Sequence, residues 1–86
     1  MKRIIEDSNA SGLDALIGEN VLLLCANYFY AGKLTGVNEN CVELAEPQIV
    51  YETGEWTSGT YKDAQKLHAK KWYVSLSTIE SYGPGK

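Results

Sequence analysis

The feature that most constrains the fold is the stretch "AGKLTGVN", residues 31–38, which places Gly32 and Gly36 between two apolar segments. The preceding apolar run, Val21 to Ala26, does not alternate with polar residues, so it predicts a strand that is covered on both faces. Glycines inside a strand usually indicate bulges or sharp coiling, where the backbone bends toward its neighbour. The stretch therefore predicts a short and strongly curved β-sheet.

Length and charge set the next limits. The chain has 86 residues, which allows a single domain over 1–86, and a net charge of −3. A core of this size is marginal, so burial of further surface by self-association would add stability. Basic residues are concentrated near the end, since 62–86 carries five basic and two acidic side chains whereas 1–61 carries three and nine. The asymmetry is a weak indication of a basic surface.

The first segment, residues 1–10, is polar and is predicted to be flexible. "SGLDALIG", residues 11–18, predicts a short α-helix that Ser11 caps and Gly18 ends. Its apolar residues have the spacing i, i+3, i+4 and should share one face, which must pack on the rest of the domain because so short a helix is unstable alone. These apolar residues are Leu13, Leu16 and Ile17.

The remaining segments predict five antiparallel strands over 20–82, forming a small open barrel. The last two strands are short, Trp72 to Ser75 and Thr78 to Tyr82, with a tight turn between them. The third strand is predicted over 41–52, and Pro47 marks a bend or an edge in it because proline cannot donate to the ladder. A long loop is predicted over 53–66 and a tail over 83–86. The fold class is therefore mainly β, with one short N-terminal helix.

Several classes of function are disfavoured. Cys25 and Cys41 lie in apolar segments without metal-binding spacing, and they predict free thiols in a reducing compartment such as the cytoplasm. Neither thiol has a supporting constellation beyond the single His68, so the chain is not expected to be an enzyme. No metal, cofactor, signal peptide or membrane span is expected.

Three segments resemble the Sm and Sm-like (LSm) proteins, a group that includes bacterial Hfq. "LDALIGENVLLLC" resembles the family's junction between helix and first strand. "GKLTGVN" resembles the family's Gly-x-Leu-x-x-φ-Asp motif, with Asn38 in place of the aspartate, and "YVSLSTIESY" resembles the second motif. The resemblance covers about 12–82. Ser75 stands where the second motif has its arginine, and Val42 stands where the family has an asparagine.

The resemblance implies a homo-oligomeric ring of about five to seven subunits, in which the fourth strand of one subunit pairs with the fifth strand of its neighbour. It also implies binding of single-stranded RNA, or of DNA, at the central opening. Asn38 and Asn40 would offer amide groups to a base, and Ser75 and Ser77 would offer hydroxyls. The alternative for all four is that they only shape turns.

Basic and aromatic residues alternate in "YKDAQKLHAKKWY", residues 61–73, a pattern that suits single-stranded nucleic acid. We expect three of its lysines to form a charged rim, namely Lys66, Lys70 and Lys71. The alternative is a solvated hairpin whose aromatic residues pack on the barrel. For Trp72, which begins a core strand, we expect this packing. Trp56, in the glycine-rich loop, either is exposed and has a partner or folds back on the barrel. The competing function is a structural or protein-binding barrel that does not bind nucleic acid.

Overall fold

The computed structural model describes residues 12–86, which form six β-strands and two 3-10 turns. The predicted flexible segment 1–10 and the capping residue Ser11 lie outside the described residues. The 3-10 turns are Leu13–Leu16 and Leu76–Thr78. The strands are β1 (Asn20–Cys25), β2 (Phe29–Val37), β3 (Cys41–Glu52), β4 (Asp63–Lys66), β5 (Lys71–Ser75) and β6 (Ile79–Pro84).

All six strands belong to one antiparallel sheet, which confirms the prediction of a mainly β domain. The order is β4-β3-β2-β1-β6, and β5 also pairs with β3. The long strand β3 pairs with β5 through 41–45 and with β4 through 48–52. The sheet therefore ends in β6 on one side and in β4 and β5 on the other. Within the described residues these outer strands do not pair with each other, so the sheet is not closed.

The two glycines of β2 coincide with its irregularities. The register with β3 shifts between Ala31 and Lys33 and again between Leu34 and Gly36. At Gly32 the strands approach so closely that an added Cβ would lie 2.9 Å from the carbonyl oxygen of Ala45. Only glycine fits there without displacing the neighbouring backbone, which agrees with the bulges that the sequence predicts.

β3 is irregular near its middle, where its outer partner changes from β5 to β4. Glu46 has a φ of 50°, which is uncommon for a residue with a side chain. The next residue, Pro47, is fully buried and falls between the two paired halves. Because proline donates no backbone hydrogen bond, its position at this junction leaves both ladders intact.

The core lies on both faces of the sheet. Leu23 faces the larger cluster and Leu22 faces a smaller one, so β1 is covered on both sides as its unbroken apolar run predicts. Tyr61 packs against the smaller cluster, together with Leu24. The buried residues of the larger cluster are Val21, Leu23, Cys25, Leu34, Val42, Leu44 and Val74.

The α-helix predicted over 11–18 is instead a single 3-10 turn, Leu13–Leu16. Residues at i and i+3 eclipse each other in a 3-10 turn, so Leu13 and Leu16 pack together against the larger cluster, whereas Ile17 is 49% exposed. Gly18 ends the turn with a φ of 94°, the conformation for which glycine was expected. Eight residues are too few to hold an α-helix by themselves, and here tertiary contacts favour the tighter turn.

Other boundaries also differ from the prediction. The segment 53–66 is not entirely a loop, because Asp63–Lys66 forms β4 and pairs with β3. β2 begins at Phe29, two residues before the glycine-containing stretch 31–38. The predicted tail 83–86 continues β6 through Pro84, and the N–H of Gly85 donates to the carbonyl oxygen of Asn20 at 2.8 Å. Short exposed strands bury few apolar side chains, so their sequences carry little periodic signal.

The outer edge of β5 presents unpaired backbone groups. The N–H of Leu76 donates to the carbonyl oxygen of Asn40 at 2.9 Å, which fixes the alternation of the β3–β5 ladder. Trp72 and Val74 therefore direct their backbone groups toward β3, and Tyr73 and Ser75 direct theirs away from it. No other described strand lies on that side of β5.

The same alternation holds at β6. The bond from Gly85 to Asn20 and the pairing of Val21 with Pro84 indicate that Tyr82 and Pro84 direct their backbone groups away from β1. The missing N–H of Pro84 thus falls on the outer side, where no described strand would use it. Both ends of the sheet are therefore edges with available backbone groups, next to exposed aromatic residues such as Tyr73 and Tyr82.

Candidate nucleic-acid interface

The turn between β2 and β3 is shaped by the side chain of Asn38. Its Oδ1 accepts hydrogen bonds from the backbone N–H of Asn40 at 2.7 Å and of Cys41 at 2.8 Å. Its own backbone N–H donates to the carbonyl oxygen of Cys41 at 3.0 Å. Asn38 therefore forms the local turn that asparagine favours, and its amide NH2 group is the part of the side chain left to contact a ligand.

The connection between β5 and β6 carries Ser75 and Ser77, the two serines that are expected to contact a nucleic acid. The hydroxyl oxygens of Ser75 and Ser77 lie 2.9 Å apart, within hydrogen-bond distance. The hydroxyl of Thr78 donates to the carbonyl oxygen of Ser75 at 2.8 Å. These bonds tie the exposed hydroxyls to the 3-10 turn that joins the two strands.

The structure places these two connections side by side. Cys41 pairs with Ser75 across β3 and β5, and the backbone bond from Leu76 to Asn40 extends this pairing by one step. The turn 38–40 and the connection 75–77 thus form one exposed polar surface, called here the two-loop patch. The four predicted polar residues lie together in it, although they come from distant parts of the sequence.

A small cavity of about 230 Å³ adjoins the two-loop patch. Asn38, Glu43 and Tyr73 are among the residues that line it. The side chain of Tyr73 is 58% exposed, so its ring offers a flat apolar surface beside the polar turn. A planar base could stack on such a ring while an amide group contacts its edge.

Glu43 organises the sheet surface beneath this cavity. Its carboxylate accepts hydrogen bonds from Thr35 Oγ1 at 2.8 Å, from Lys71 Nζ at 3.1 Å and from Tyr73 Oη at 2.9 Å. These bonds, with that of Thr35 the largest cause, lower the pKa of Glu43 below its ordinary value. The bond to the carboxylate raises the pKa of the Tyr73 phenol. The sequence indicates Tyr73 only as one aromatic residue of the stretch 61–73 and does not indicate Glu43, because their contact depends on the pairing of β3 with β5.

The three lysines expected to form a charged rim lie on β4, on β5 and between these two strands, and their surroundings differ. Lys71 donates to Glu43, so its charge is largely compensated. Lys70 is exposed between β4 and β5, next to Lys71 in the sequence. Lys66 ends β4 opposite Gln48, in the half of β3 that does not pair with β5. There it lines a second cavity, of about 350 Å³, together with Lys33 and other residues.

The thiols and aromatic side chains are placed as follows. Both cysteines are free, Cys25 is buried and Cys41 is half-buried, and burial raises the pKa of the Cys25 thiol. Trp72, expected to pack in the core, is partly exposed on the edge strand β5. Trp56 is 66% exposed, and the ammonium group of Lys86 lies 5.8 Å from the centre of its ring.

The described residues contain neither a metal-binding cluster nor a membrane-spanning helix. Within residues 12–86, no three side chains of His, Cys, Asp or Glu form a cluster that could hold a metal ion. The same part of the chain contains no helix that is both long and apolar enough to cross a membrane.

Comparisons of the chain with protein-family models, with curated proteins and with solved structures found no match.

Proposed function

We propose that this domain assembles into an Sm-like ring in the cytoplasm and binds single-stranded RNA, or DNA, at a polar surface that is repeated around the ring. The observation that carries the proposal is the two-loop patch, where Asn40 and Leu76 share a backbone hydrogen bond. In this patch the turn 38–40 presents amides and the connection 75–77 presents hydroxyls, although the two are far apart in the sequence. The exposed ring of Tyr73 lies beside them.

The groups in and around the patch suit a single-stranded ligand. The amide of Asn40 supplies both donors and an acceptor for a base edge, and the hydroxyl of Ser77 suits phosphate or sugar. The ring of Tyr73 supplies a stacking surface, which typically contributes about 1–3 kcal/mol per base. Lys66 and Lys70 are exposed and add positive charge at some distance along the sheet.

Assembly follows from the free edges of the sheet. Among the described strands, β5 and β6 each have one side without a partner, and pairing β5 of one copy with β6 of the next is a head-to-tail contact. Such contacts close when the rotation per subunit divides a full turn. A ring repeats each patch, and repetition raises the affinity for a long ligand through effective concentration. This mechanism compensates for a patch that is small in one subunit.

Binding of short single-stranded RNA and DNA, followed by fluorescence anisotropy between about 50 and 200 mM salt, tests the proposal. We expect binding that weakens steeply with salt. The double substitution Lys66→Ala and Lys70→Ala should reduce affinity for all sequences, and Asn40→Ala should reduce it while leaving the salt dependence unchanged. Lys62→Ala is the control, because the ammonium group of Lys62 already pairs with the carboxylate of Glu52 at 3.5 Å. Absence of binding at the lowest salt would overturn the proposal.

One observation favours the competing function, an oligomer that binds proteins and not nucleic acid. The Oδ1 of Asn38 is engaged in its own turn, and the ammonium of Lys71 is engaged by Glu43. Both groups are therefore less free for a nucleic acid than the sequence suggests, and the net charge is −3. In the same assay this alternative predicts an assembled protein that binds neither RNA nor DNA.

A further inference from the structure

The loop between β3 and β4 holds the ammonium group of Lys86. Lys86 Nζ donates to the carbonyl oxygens of Thr53 at 2.7 Å, of Glu55 at 2.8 Å and of Thr60 at 3.0 Å. A lysine ammonium has three N–H donors, so this set of three carbonyls satisfies all of them. Three backbone oxygens converging on one nitrogen form a site for a primary ammonium group.

Two aromatic rings complete this site. Lys86 Nζ lies 5.8 Å from the ring centre of Trp56 and 5.4 Å from that of Tyr61, within the range of cation–π attraction. The two ion pairs found among residues 12–86 join Lys62 to Glu52 and Lys71 to Glu43. The ammonium of Lys86 is thus held by carbonyl dipoles and ring faces and not by an ion pair.

The loop fixes the direction of its carbonyls through its own hydrogen bonds. The N–H of Lys62 donates to the Thr53 carbonyl at 3.3 Å, and the N–H of Ser58 donates to the Glu55 carbonyl at 3.0 Å. Gly54 lies between the first two carbonyls with a φ of 73°, and an added Cβ would lie 3.0 Å from Lys62 Cβ. Because these bonds do not involve Lys86, the loop provides a preformed site.

The chain after β6 delivers Lys86 to this loop along a narrow path. Gly85 passes so close to Tyr61 that an added Cβ would lie 2.7 Å from the phenol oxygen. The backbone N–H of Lys86 donates to the same oxygen at 3.0 Å. Trp56 is largely exposed, so the site remains open to solvent on the side away from this path.

We propose that the loop 53–61 is a binding site for the primary ammonium of a lysine side chain, in which Lys86 is the resident ligand that a lysine of a partner polypeptide displaces. The three carbonyls select an unmethylated lysine, because each added methyl group removes one donor. Lys86 competes as an intramolecular ligand at a high effective concentration, so only a partner with further contacts displaces it. None of the residues of this site belongs to the two-loop patch.

The test uses the fluorescence of Trp56, with Trp72→Phe removing the signal of the second of the two tryptophans. In this background Lys86→Met removes the resident ammonium and keeps an apolar side chain of similar length. The probe is Nα-acetyl-lysine methylamide, compared with its ε-trimethyl analogue and with the uncharged norleucine compound. We expect saturable binding of the lysine probe in the millimolar range, at least about 10-fold weaker binding of the trimethyl analogue, and none of the norleucine compound.

The protein that retains Lys86 should bind the lysine probe at least about 10-fold more weakly than the Lys86→Met variant. The proposal is overturned if the folded variant shows no saturable change, if methylation has no effect, or if Lys86 does not compete.

A second measurement needs no substitution at Lys86. In 15N-labelled protein, the ammonium hydrogens of Lys86 should exchange with solvent at least about 10-fold more slowly than those of the exposed Lys70. Equal exchange rates would also overturn the proposal.

Discussion

At the level of single residues, Glu43 has the most definite chemistry on the surface of the sheet. Its side chain is 24% exposed, and its carboxylate accepts bonds from Thr35, Lys71 and Tyr73. These donors belong to two different neighbouring strands, so the carboxylate joins β2, β3 and β5 through their side chains. These hydrogen bonds stabilise the ionised carboxylate of Glu43, and they form only in the folded state.

The Glu43→Gln substitution should therefore reduce the dependence of stability on acid pH. The pKa of Glu43 is lowered from its ordinary value of 4.5, so its contribution is fully present above that value. The contribution is lost as the pH falls through the lower folded-state pKa. Urea unfolding between pH 3 and pH 6 should show a smaller loss of stability for the variant than for the original protein. Glu80→Gln, at an exposed position of β6, is the control.

An unchanged pH profile in Glu43→Gln, or an equal change in Glu80→Gln, would contradict this account of Glu43. The charge-conserving Glu43→Asp adds a further comparison. It keeps the carboxylate but withdraws it from its three donors, so it should lose much of the same dependence.

Only some residues of the candidate site could be predicted from the sequence. The sequence identified Asn38 and Asn40 as turn residues with amides for a ligand, and the structure assigns the Oδ1 of Asn38 to the turn. Tyr73 belongs to the basic and aromatic pattern of 61–73, but Glu43 gave no signal, and the contact between the two was not predictable because they lie 30 residues apart. Their contact follows from the β3–β5 register, which no local pattern specifies.

At the level of elements, β2 offers a matched pair of glycines. A Cβ at Gly32 would meet the Ala45 carbonyl oxygen at 2.9 Å and Leu44 Cβ at 3.3 Å. A Cβ at Gly36 would meet only side-chain atoms of Glu43, at 3.7 Å or more, which is ordinary contact. Both positions accompany register shifts, yet only the first is crowded by backbone.

We therefore expect Gly32→Ala to destabilise the protein by about 1–3 kcal/mol, because β3 must move away from the added methyl group. Gly36→Ala should change the free energy of unfolding by less than about 1 kcal/mol, in either direction, because alanine also restricts the unfolded chain. Chemical denaturation of both variants measures the difference. Equal effects of the two substitutions would show that the close approach at Gly32 does not limit the fold.

The elements that the sequence predicted best are those with a covered apolar face. The bounds of β3 agree with the predicted segment 41–52, and the two-sided burial of β1 follows from its unbroken apolar run. β4 has four exposed residues and no apolar alternation, so its pairing with β3 was not predictable from its own sequence. The prediction of an α-helix over 11–18 was wrong for a different reason. The spacing of Leu13 and Leu16 suits a 3-10 turn as well as an α-helix.

At the level of the whole molecule, the proposed assembly depends on the outer edges of β5 and β6, which no other strand of residues 12–86 covers. β5 and β6 are consecutive in the chain, joined by the turn Leu76–Thr78, yet they lie at opposite ends of the strand order. Exposed strand edges that carry aromatic residues favour pairing with another chain. The marginal size of the core adds a second reason, because the pairing buries surface that one subunit leaves exposed.

The substitution Tyr73→Pro tests whether copies of the chain pair through the outer edge of β5. Tyr73 directs its backbone N–H away from β3, so Tyr73→Pro removes a donor at the free edge and keeps the bonds of Trp72 and Val74 to β3. Tyr73→Ala is the matched control, because it loses the same phenol and the same bond to Glu43 but keeps the N–H. Sedimentation at equal concentration should show assembled original protein and assembled Tyr73→Ala, whereas Tyr73→Pro should sediment as a single chain. If the original protein is itself a single chain, or if the two variants sediment alike, β5 is not the edge through which copies assemble, because these two substitutions differ chiefly in one backbone donor.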